Sequence, residues 1–201
     1  DVATGKVFME INDVIKSPSI SPFSACFRLS FSSITKPGLY RIEAGKAVSP
    51  DFRIADDVYD NTSDFLLQYM RQQRCGFNPF INDSCHMHDG YEIYGERDDK
   101  PHIDVTGGWH DAADYLQYVA TSANAVYQMF FAYSKNPGAF GDNYLQNGLP
   151  GTDGIPDVLN DARWGLEWLL KMNPAPGIMY NQLADDRDHV GFRMPNEDKA
   201  D

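Results

Sequence analysis

The sequence predicts a mainly α-helical chain preceded by a short β-rich segment. Up to about residue 54, apolar and polar residues nearly alternate and turn residues separate the runs, which is typical of strands. From residue 56 onward, the apolar residues recur at helical spacing instead. This change of period divides the 201 residues into predicted domains at 1–55 and 56–201.

The β-rich segment contains three runs that we expect to be strands. They are residues 7–11, 25–31 and 39–43, with a Lys36-Pro37-Gly38 turn before the last. Short strands with turn signals are typical of a β-sandwich, but about 54 residues supply too few strands for a complete one. We therefore expect an incomplete sandwich whose other strands lie upstream.

Three helical segments follow the β-rich part. The spacing of apolar residues places them from Asp56 to near Gly76, from about 111 to 134, and from about 155 to 172. In the first helical segment, one apolar face is formed by Val58, Phe65, Leu66, Tyr69 and Met70. In the third, Asp153 is the predicted N-cap and Pro156 lies in the first turn. Residues 76–108 lack periodicity, and a loop of that length is usually functional or held by a bound group.

Composition excludes some classes of partner. A net charge of −12 disfavours nucleic acid, which needs basic patches, whereas a neutral polysaccharide is indifferent to charge. No apolar run approaches the ~20 residues of a membrane span. No signal peptide is visible at the start of the sequence.

The most informative segment is residues 104–115, where Asp111 and Asp114 follow a glycine pair and Trp109. If Asp111 opens a helix, three residues make nearly one turn and both carboxylates share a face. Such a pair can take a proton from water for attack on an acetal. In the alternative interpretation, Asp111 caps the helix and Asp114 lies in its first turn, where the helix dipole favours acids.

Three segments carry a resemblance to a known family. Residues 107–115 read GGWHDAADY and resemble the GGW(Y/H)DAGD segment of family 9 glycoside hydrolases, the inverting β-1,4-glucanases, with Ala113 in place of the usual glycine. Residues 153–172 resemble the family's IPDLLDEARWGLEWLLKM helix. Residues 52–59 are similar to the join between an immunoglobulin-like module and the barrel in one branch. The resemblance implies a partial (α/α)6 barrel preceded by part of an immunoglobulin-like β-sandwich.

The resemblance also implies a mechanism and its residues. Asp114 is expected to be the general base, and Asp111 to help hold the nucleophilic water. The general acid of the family is a glutamate near the C-terminal end of the barrel, and no segment here resembles its motif, so we expect it to lie outside this sequence. His189 occupies the place of a cleft histidine, although a surface-loop histidine fits equally. Trp109 is a candidate for substrate binding or for packing beneath the loop.

Cys75, Cys85, His86 and His110 form a candidate metal site. Their spacing is not that of a standard zinc finger, but one ion would pin the long loop and tie it to the residue before Asp111. A Cys75–Cys85 disulfide and a pair of buried thiols are the alternatives. His88 or His102 could also replace one of the four ligands. The immunoglobulin-bearing branch carries a structural zinc bound by two Cys and two His in this region, which implies zinc here. Calcium is a further ion compatible with the resemblance, with no residue assigned to it.

These observations lead to an expected function. The sequence predicts the N-terminal portion of an endo-β-1,4-glucanase that acts on cellulose or related β-glucans by inversion. The alternatives are an exo-acting hydrolase of β-glucan oligosaccharides and a non-catalytic carbohydrate-binding fragment. Its expected partners are the glucan and the remainder of the barrel, as a second polypeptide fragment if the chain is divided. We expect a secreted or periplasmic bacterial protein.

Overall fold

The computed structural model describes residues 1–92, 102–112, 115–184 and 193–197. The chain divides into two compact units, Asp1–Asp60 and Asn61–Asp201. Over those described ranges, no helix combines the length and the apolar character that a membrane crossing requires.

The first unit consists of six short strands in antiparallel pairs. The strands are β1 (Ile15–Ser17), β2 (Cys26–Arg28), β3 (Gly38–Tyr40), β4 (Glu43–Ala44), β5 (Ala47–Val48) and β6 (Phe52–Ile54). They pair as β1 with β2, β3 with β6, and β4 with β5, each pair forming its own two-stranded sheet. Three separate ladders do not make the two multi-stranded sheets of a sandwich within these sixty residues.

The strand predicted at residues 7–11 does not form. The chain there has no regular secondary structure and joins no ladder, and Val7 is 76% exposed. Phe8 is held by its ring, which lies edge-on to Tyr40 at a centroid distance of 5.4 Å. Alternation of apolar residues reports which side a residue faces, but a strand also needs a partner for its backbone groups, and none pairs with this run.

The described residues of the second unit form three α-helices and two short antiparallel ladders. Its elements are α1 (Thr62–Gln72), β7 (Gly76–Asn78), β8 (Asp83–Cys85), β9 (Gln117–Tyr118), α2 (Val119–Lys135), α3 (Asp157–Lys171) and β10 (Gln182–Leu183), with short 3-10 turns at Pro137–Ala139 and Pro195–Glu197. β7 pairs with β8 and β9 pairs with β10, both antiparallel. The apolar core lies between the helices and contains Leu67, Trp109, Val126, Met129, Val158 and Ala162.

The first helix buries only part of the predicted face. Phe65, Leu66 and Tyr69 are 72%, 63% and 58% exposed, whereas Leu67 and Arg71 are buried. The buried arginine faces α3, where it forms ion pairs with two aspartates. Met70, another residue of the predicted face, is partly buried and packs against the apolar core. The sequence pattern therefore identified part of the buried face but missed Arg71, because a charged residue in a packed face cannot be recognised from apolar periodicity.

The second helix begins at Val119, eight residues later than the predicted start at 111. Tyr115 has a φ of 65°, which a right-handed helix does not accommodate. Gln117 and Tyr118 then extend to pair with Leu183 and Gln182. The interpretation in which Asp111 opens or caps a helix is therefore wrong. Residues 117–118 pair with the distant residues 182–183 and so form a strand in place of a helical turn.

The third helix is found close to its predicted position, at Asp157–Lys171. Its N-cap is Pro156 instead of the predicted Asp153. The Asp153 carboxylate accepts hydrogen bonds from the backbone N–H of Ile155 at 3.0 Å and from Nδ2 of Asn160 at 3.0 Å. Asp153 therefore stabilises both the turn that precedes the helix and the first turn of the helix itself.

One glycine in α3 sets how the core closes. A Cβ on Gly165 would lie 2.3 Å from the Trp109 ring and 2.9 Å from Val126 of α2. Only a residue without a side chain lets the indole lie against the α3 backbone at this point. Gly165 thereby brings residues 107–110 onto α3, and the functional residues follow directly in the chain.

Candidate metal centre and active-site turn

Pairing between two loop segments brings the predicted metal ligands together. After α1 ends, Cys75 donates its backbone N–H to Gly108 O at 3.1 Å, and His110 donates to Gln73 O at 2.8 Å. Cys85 lies opposite Gly76 in the β7–β8 ladder. His86 follows with a left-handed φ of 53° that turns the chain after the strand. Backbone pairing of residues 73–76 with residues 108–110 and with Cys85 thus brings these distant cysteine and histidine residues together.

Cys75, Cys85, His86 and His110, hereafter the metal cluster, have ligand atoms that all lie within 4.8 Å of one another. The Cys75 Sγ lies 3.6 Å from His86 Nδ1, and the Cys85 Sγ lies 3.6 Å from His110 Nε2. The two ring nitrogens are 3.3 Å apart. All four side chains are buried, so the structure brings together the four residues that the sequence indicated.

The two sulfurs of the metal cluster differ in proton affinity. Burial, and then the neighbouring Cys85, raise the pKa of Cys75 well above its usual range. A hydrogen bond with Cys75, followed by those with His110 and His86, lowers the pKa of Cys85 to about 3 although burial opposes this. Loss of a proton is therefore favoured at Cys85 over Cys75. A buried thiolate beside two imidazole nitrogens is a site for a cation of borderline softness.

The donor set fits a four-coordinate metal ion better than a disulfide. Both cysteines are free thiols in the structure, so the disulfide alternative is not the one observed. Two sulfurs and two imidazole nitrogens are a common ligand set of structural zinc sites. Four protein ligands fill a tetrahedral shell and leave no position for a reacting water.

Gln117 is a buried neighbour of the metal cluster that the sequence analysis did not identify. Its side chain is fully buried, and within the described part of the chain neither amide atom has a conventional hydrogen-bond partner. It lies close enough to Cys75 to lower the pKa of that thiol. A Cβ on Gly108 would lie 3.1 Å from the Gln117 Oε1, which places the amide against the paired segments.

Asp111 follows the metal cluster directly and lies in an exposed turn. Its side chain is open to solvent, while Trp109 and His110 before it are buried. The turn is closed by the Asp111 N–H, which donates to Leu116 O at 2.7 Å. The other predicted acid, Asp114, and the predicted cleft histidine, His189, lie outside the described residues.

Trp109 packs in the core, which corrects its prediction as a substrate-binding residue. It is 4% exposed and its ring contacts the backbone of Gly165, so no ring face is open for a sugar. The packing alternative considered for this tryptophan is the one observed. Its neighbours in the fold, Trp164 and Trp168, act as anchors: their Nε1 atoms donate to Gly108 O and Val105 O, each at 3.0 Å.

Tyr115 is the second residue that the sequence analysis missed. Its ring centroid lies 4.9 Å from that of His110 and 5.6 Å from that of His86. Its hydroxyl donates to the backbone oxygen of Arg193, whose guanidinium lies 5.3 Å from the ring centroid. The only sequence signal was its place beside the two acids.

A buried group of four charges, Arg71, Arg74, Asp157 and Asp161, lies next to the metal cluster in the chain and is called the ion-pair cluster here. Arg74 Nη2 lies 2.7 Å from Asp161 Oδ1, and Arg71 Nη2 lies 3.1 Å from Asp161 Oδ2. Arg71 also lies 3.8 Å from Asp157, which accepts backbone hydrogen bonds from residues 143 and 144. The cluster joins α1 to α3 and ends at the residue before Cys75.

Comparisons with known proteins identify what the chain resembles. A sequence profile described as glycosyl hydrolase family 9 matches residues 59–201. A cellodextrinase of Butyrivibrio fibrisolvens is 30% identical over 179 residues, which cover 85% of this chain and 32% of that protein. The chain therefore spans about a third of that relative's length.

Two solved structures have similar folds. The crystal structure of GH family 9 endoglucanase J30 matches with a TM-score of 0.78 and 27% identity, covering 100% of this chain and 40% of that one. A Zn-binding triple mutant of the same endoglucanase matches with a TM-score of 0.65 and 29% identity, covering 79% of this chain and 32% of that one. Family 9 neighbours imply the (α/α)6 barrel fold, of which the described residues supply three helices.

Proposed function

Because the chain belongs to glycosyl hydrolase family 9, we propose that the protein hydrolyses β-1,4-glucosidic bonds of cellulose or related β-glucans with inversion. The observation that carries this proposal is the exposed turn at Asp111, which directly follows the buried metal cluster within the region that matches the family. A carboxylate that reacts with water must be reachable by solvent, and Asp111 is the exposed residue after three buried ones, Gly108, Trp109 and His110.

The proposed reaction needs two carboxyl groups on opposite sides of the sugar. Asp114 takes a proton from a water molecule, and Asp111 holds that water by accepting its hydrogen bond. The water oxygen bonds to the anomeric carbon while the glycosidic bond breaks, and a carboxylic acid ~6.5–9.5 Å from the base protonates the departing oxygen. Asp111 and Asp114 both belong to the water side.

Replacing the proposed base tests this function. In the full-length enzyme, we expect Asp114→Asn to lower kcat on soluble β-glucan by about 10²–10⁴-fold, because proton transfer by a positioned side chain contributes that much. Asp60→Asn, at another exposed aspartate, is the matched control and should keep wild-type activity. Proton NMR of the first products should show α-anomers. Full activity of Asp114→Asn, or β-anomers as first products, contradicts the proposal.

Exo action is the second candidate, and one relative favours it. The cellodextrinase named above acts, by its name, on cello-oligosaccharides, whereas the J30 relative is named an endoglucanase. An endo-acting enzyme lowers the viscosity of a soluble cellulose derivative well before reducing ends accumulate. If reducing ends rise while viscosity stays constant, exo action replaces the endo proposal.

We further propose that the metal cluster binds a structural zinc ion. The support is the S2N2 donor set, the close approach of its ligand atoms and the similarity to a Zn-binding mutant of J30. Cys75, Cys85, His86 and His110 would be the four ligands. The ion supplies cross-linking of the loop and no step of hydrolysis, because four protein ligands complete its shell.

Two broader assignments are also proposals. Residues 1–55 are proposed to be part of an immunoglobulin-like β-sandwich, on the basis of their short antiparallel strands. A solution structure of the protein with two stacked multi-stranded sheets in this region would support it, and any other topology would overturn it.

The protein is proposed to be secreted or periplasmic because polymeric glucans do not enter cells. Recovery from the cytoplasm alone on fractionation would contradict this.

A further inference from the structure

We propose that Tyr115 is a positioning residue that couples the metal cluster to the turn bearing Asp111 and Asp114. The inference rests on the proposed function, since it takes those two acids as the reacting groups. It adds a route by which an ion with no vacant position can still influence hydrolysis: through an aromatic ring packed on two of its ligands.

The first observation is the packing of the Tyr115 ring. It contacts both imidazoles of the metal cluster, with centroids 4.9 Å from His110 and 5.6 Å from His86 at interplanar angles of 56° and 61°. These separations are in the range of favourable tilted aromatic pairs. An ion bound to both imidazoles would fix their planes, and the tyrosine ring would then pack on a rigid surface.

The second observation is the backbone of Tyr115. Its φ of 65° is in the left-handed region, which costs a bulky residue about 1–2 kcal/mol relative to the right-handed region. Such a conformation persists only where the surroundings over-determine it. The side-chain contacts of Tyr115 supply that constraint at the residue immediately after Asp114.

The third observation is how the turn closes around this residue. Tyr115 donates its N–H to Ala112 O at 3.3 Å, and Asp111 donates its N–H to Leu116 O at 2.7 Å. Gln117 then enters the β9–β10 ladder. The path of the chain from Tyr115 into this ladder therefore begins at the residue whose ring packs against His86 and His110.

The phenol and the ring of Tyr115 have separable contacts. The hydroxyl donates to Arg193 O, and the Arg193 guanidinium lies 5.3 Å from the ring centroid. Removal of the hydroxyl leaves the contacts with His86 and His110 in place, whereas removal of the ring abolishes them. Tyr115→Phe and Tyr115→Ala therefore distinguish coupling through the ring from coupling through the hydroxyl.

The test uses the full-length zinc-loaded enzyme. We expect Tyr115→Ala to lower kcat by about 10–100-fold, because misplacement of a reacting group by about 1 Å costs a factor near 10². KM should change less than about twofold, because the variant alters the reacting groups and not the sugar contacts. Tyr115→Phe should restore kcat to within about threefold of wild type. Wild-type kcat in Tyr115→Ala, or Tyr115→Phe as impaired as Tyr115→Ala, would overturn the inference.

A second readout follows the metal cluster without any activity. Zinc release to a chelator should be about 10-fold faster in Tyr115→Ala, since losing a residue that supports the ligands typically weakens metal sites by 10–100-fold. Tyr91→Ala is the matched control. Its ring lies 4.9 Å from the imidazole of His102, which is not a proposed ligand, so release should match wild type. Equal release from all three proteins counts against the inference.

A mutation-free measurement keeps the inference testable if Tyr115→Ala does not fold. In the wild-type protein, chelation of zinc should speed hydrogen exchange of the Asp111 amide, whose bond to Leu116 O closes the turn. Unchanged exchange at that amide would overturn the coupling. The two proposals fail differently: an active Asp114→Asn removes the function, whereas an inactive Asp114→Asn with a wild-type Tyr115→Ala removes only the positioning role.

Discussion

The ion-pair cluster and the metal cluster meet at consecutive residues, Arg74 and Cys75, and neutralise buried charge in opposite ways. The ion-pair cluster contains two guanidiniums and two carboxylates, so the protein supplies both signs itself. The metal cluster contains two cysteines and two histidines, and the pKa of one of its thiols, Cys85, is lowered. One cluster is electrically complete after folding, whereas the other, as proposed above, would be completed by a cation from solution.

The desolvation cost of burying charged groups is also apparent in the ion-pair cluster. Burial raises the pKa of Asp161 although both arginines act to lower it, and burial lowers the pKa of Arg74 although Asp161 acts to raise it. Desolvation thus opposes both charged forms even at a separation of 2.7 Å. A cluster of this kind is sensitive to loss of a single partner, because the remaining charge is then buried alone.

The largest expected effect comes from breaking the ion-pair cluster. Asp161→Asn should lower the free energy of unfolding by about 3–5 kcal/mol, because two buried guanidiniums lose their shared partner. Glu167→Gln, which removes an exposed pair with Arg163, should cost only about 0–1 kcal/mol. Urea denaturation of the zinc-loaded proteins measures both. A loss below about 1 kcal/mol for Asp161→Asn would mean that the cluster carries no buried charge.

The next effect tests whether the metal cluster is completed from outside. Free zinc at about 100 times its Kd should stabilise the wild-type protein by about 2.7 kcal/mol. Cys85→Ser should abolish this increment, while Cys26→Ser, at the half-buried cysteine of the other unit, should retain it. Thermal denaturation with and without zinc gives the increment. Metal analysis below about 0.2 zinc per chain in the wild-type protein would remove the zinc proposal.

The smallest effect is a difference in the sign of pH dependence. Since burial and Cys85 raise the pKa of Cys75, an incoming ion must displace its proton, and zinc affinity should rise about tenfold per pH unit for each proton displaced. The raised pKa of Asp161 has the opposite consequence. Between the ordinary and the raised pKa, the folded protein binds a proton more tightly than the unfolded one, so this contribution to stability falls as pH rises.

Zinc competition assays at several pH values, and unfolding of wild type and Asp161→Asn over the acidic range, measure these two slopes. A zinc affinity that is independent of pH would show that no ligand proton is displaced on binding. A wild-type stability whose difference from Asp161→Asn grows with pH would show that the ion pairs, and not burial, control the Asp161 carboxyl.

The two clusters also differ in how far sequence reasoning could reach them. Cysteine and histidine in a long aperiodic loop are unusual enough to indicate a ligand set, and all four predicted ligands meet in the structure. Arg71 and Asp161 lie on helices where charged residues are ordinary surface residues, so nothing in the pattern marks them as buried. Likewise, the exposed Phe65 and Leu66 were indistinguishable by period from a buried face.

The sequence by itself determined the family, three helical segments and the four candidate metal ligands, because these depend on residue types and on local spacing. Only the tertiary structure decided that α2 begins at Val119, that Trp109 is buried against Gly165, and that Tyr115 packs on both imidazoles. Each of these depends on a partner far along the chain: β10, α3, or the segment that follows β8. Local pattern describes what a residue prefers, whereas long-range pairing determines which preference is satisfied.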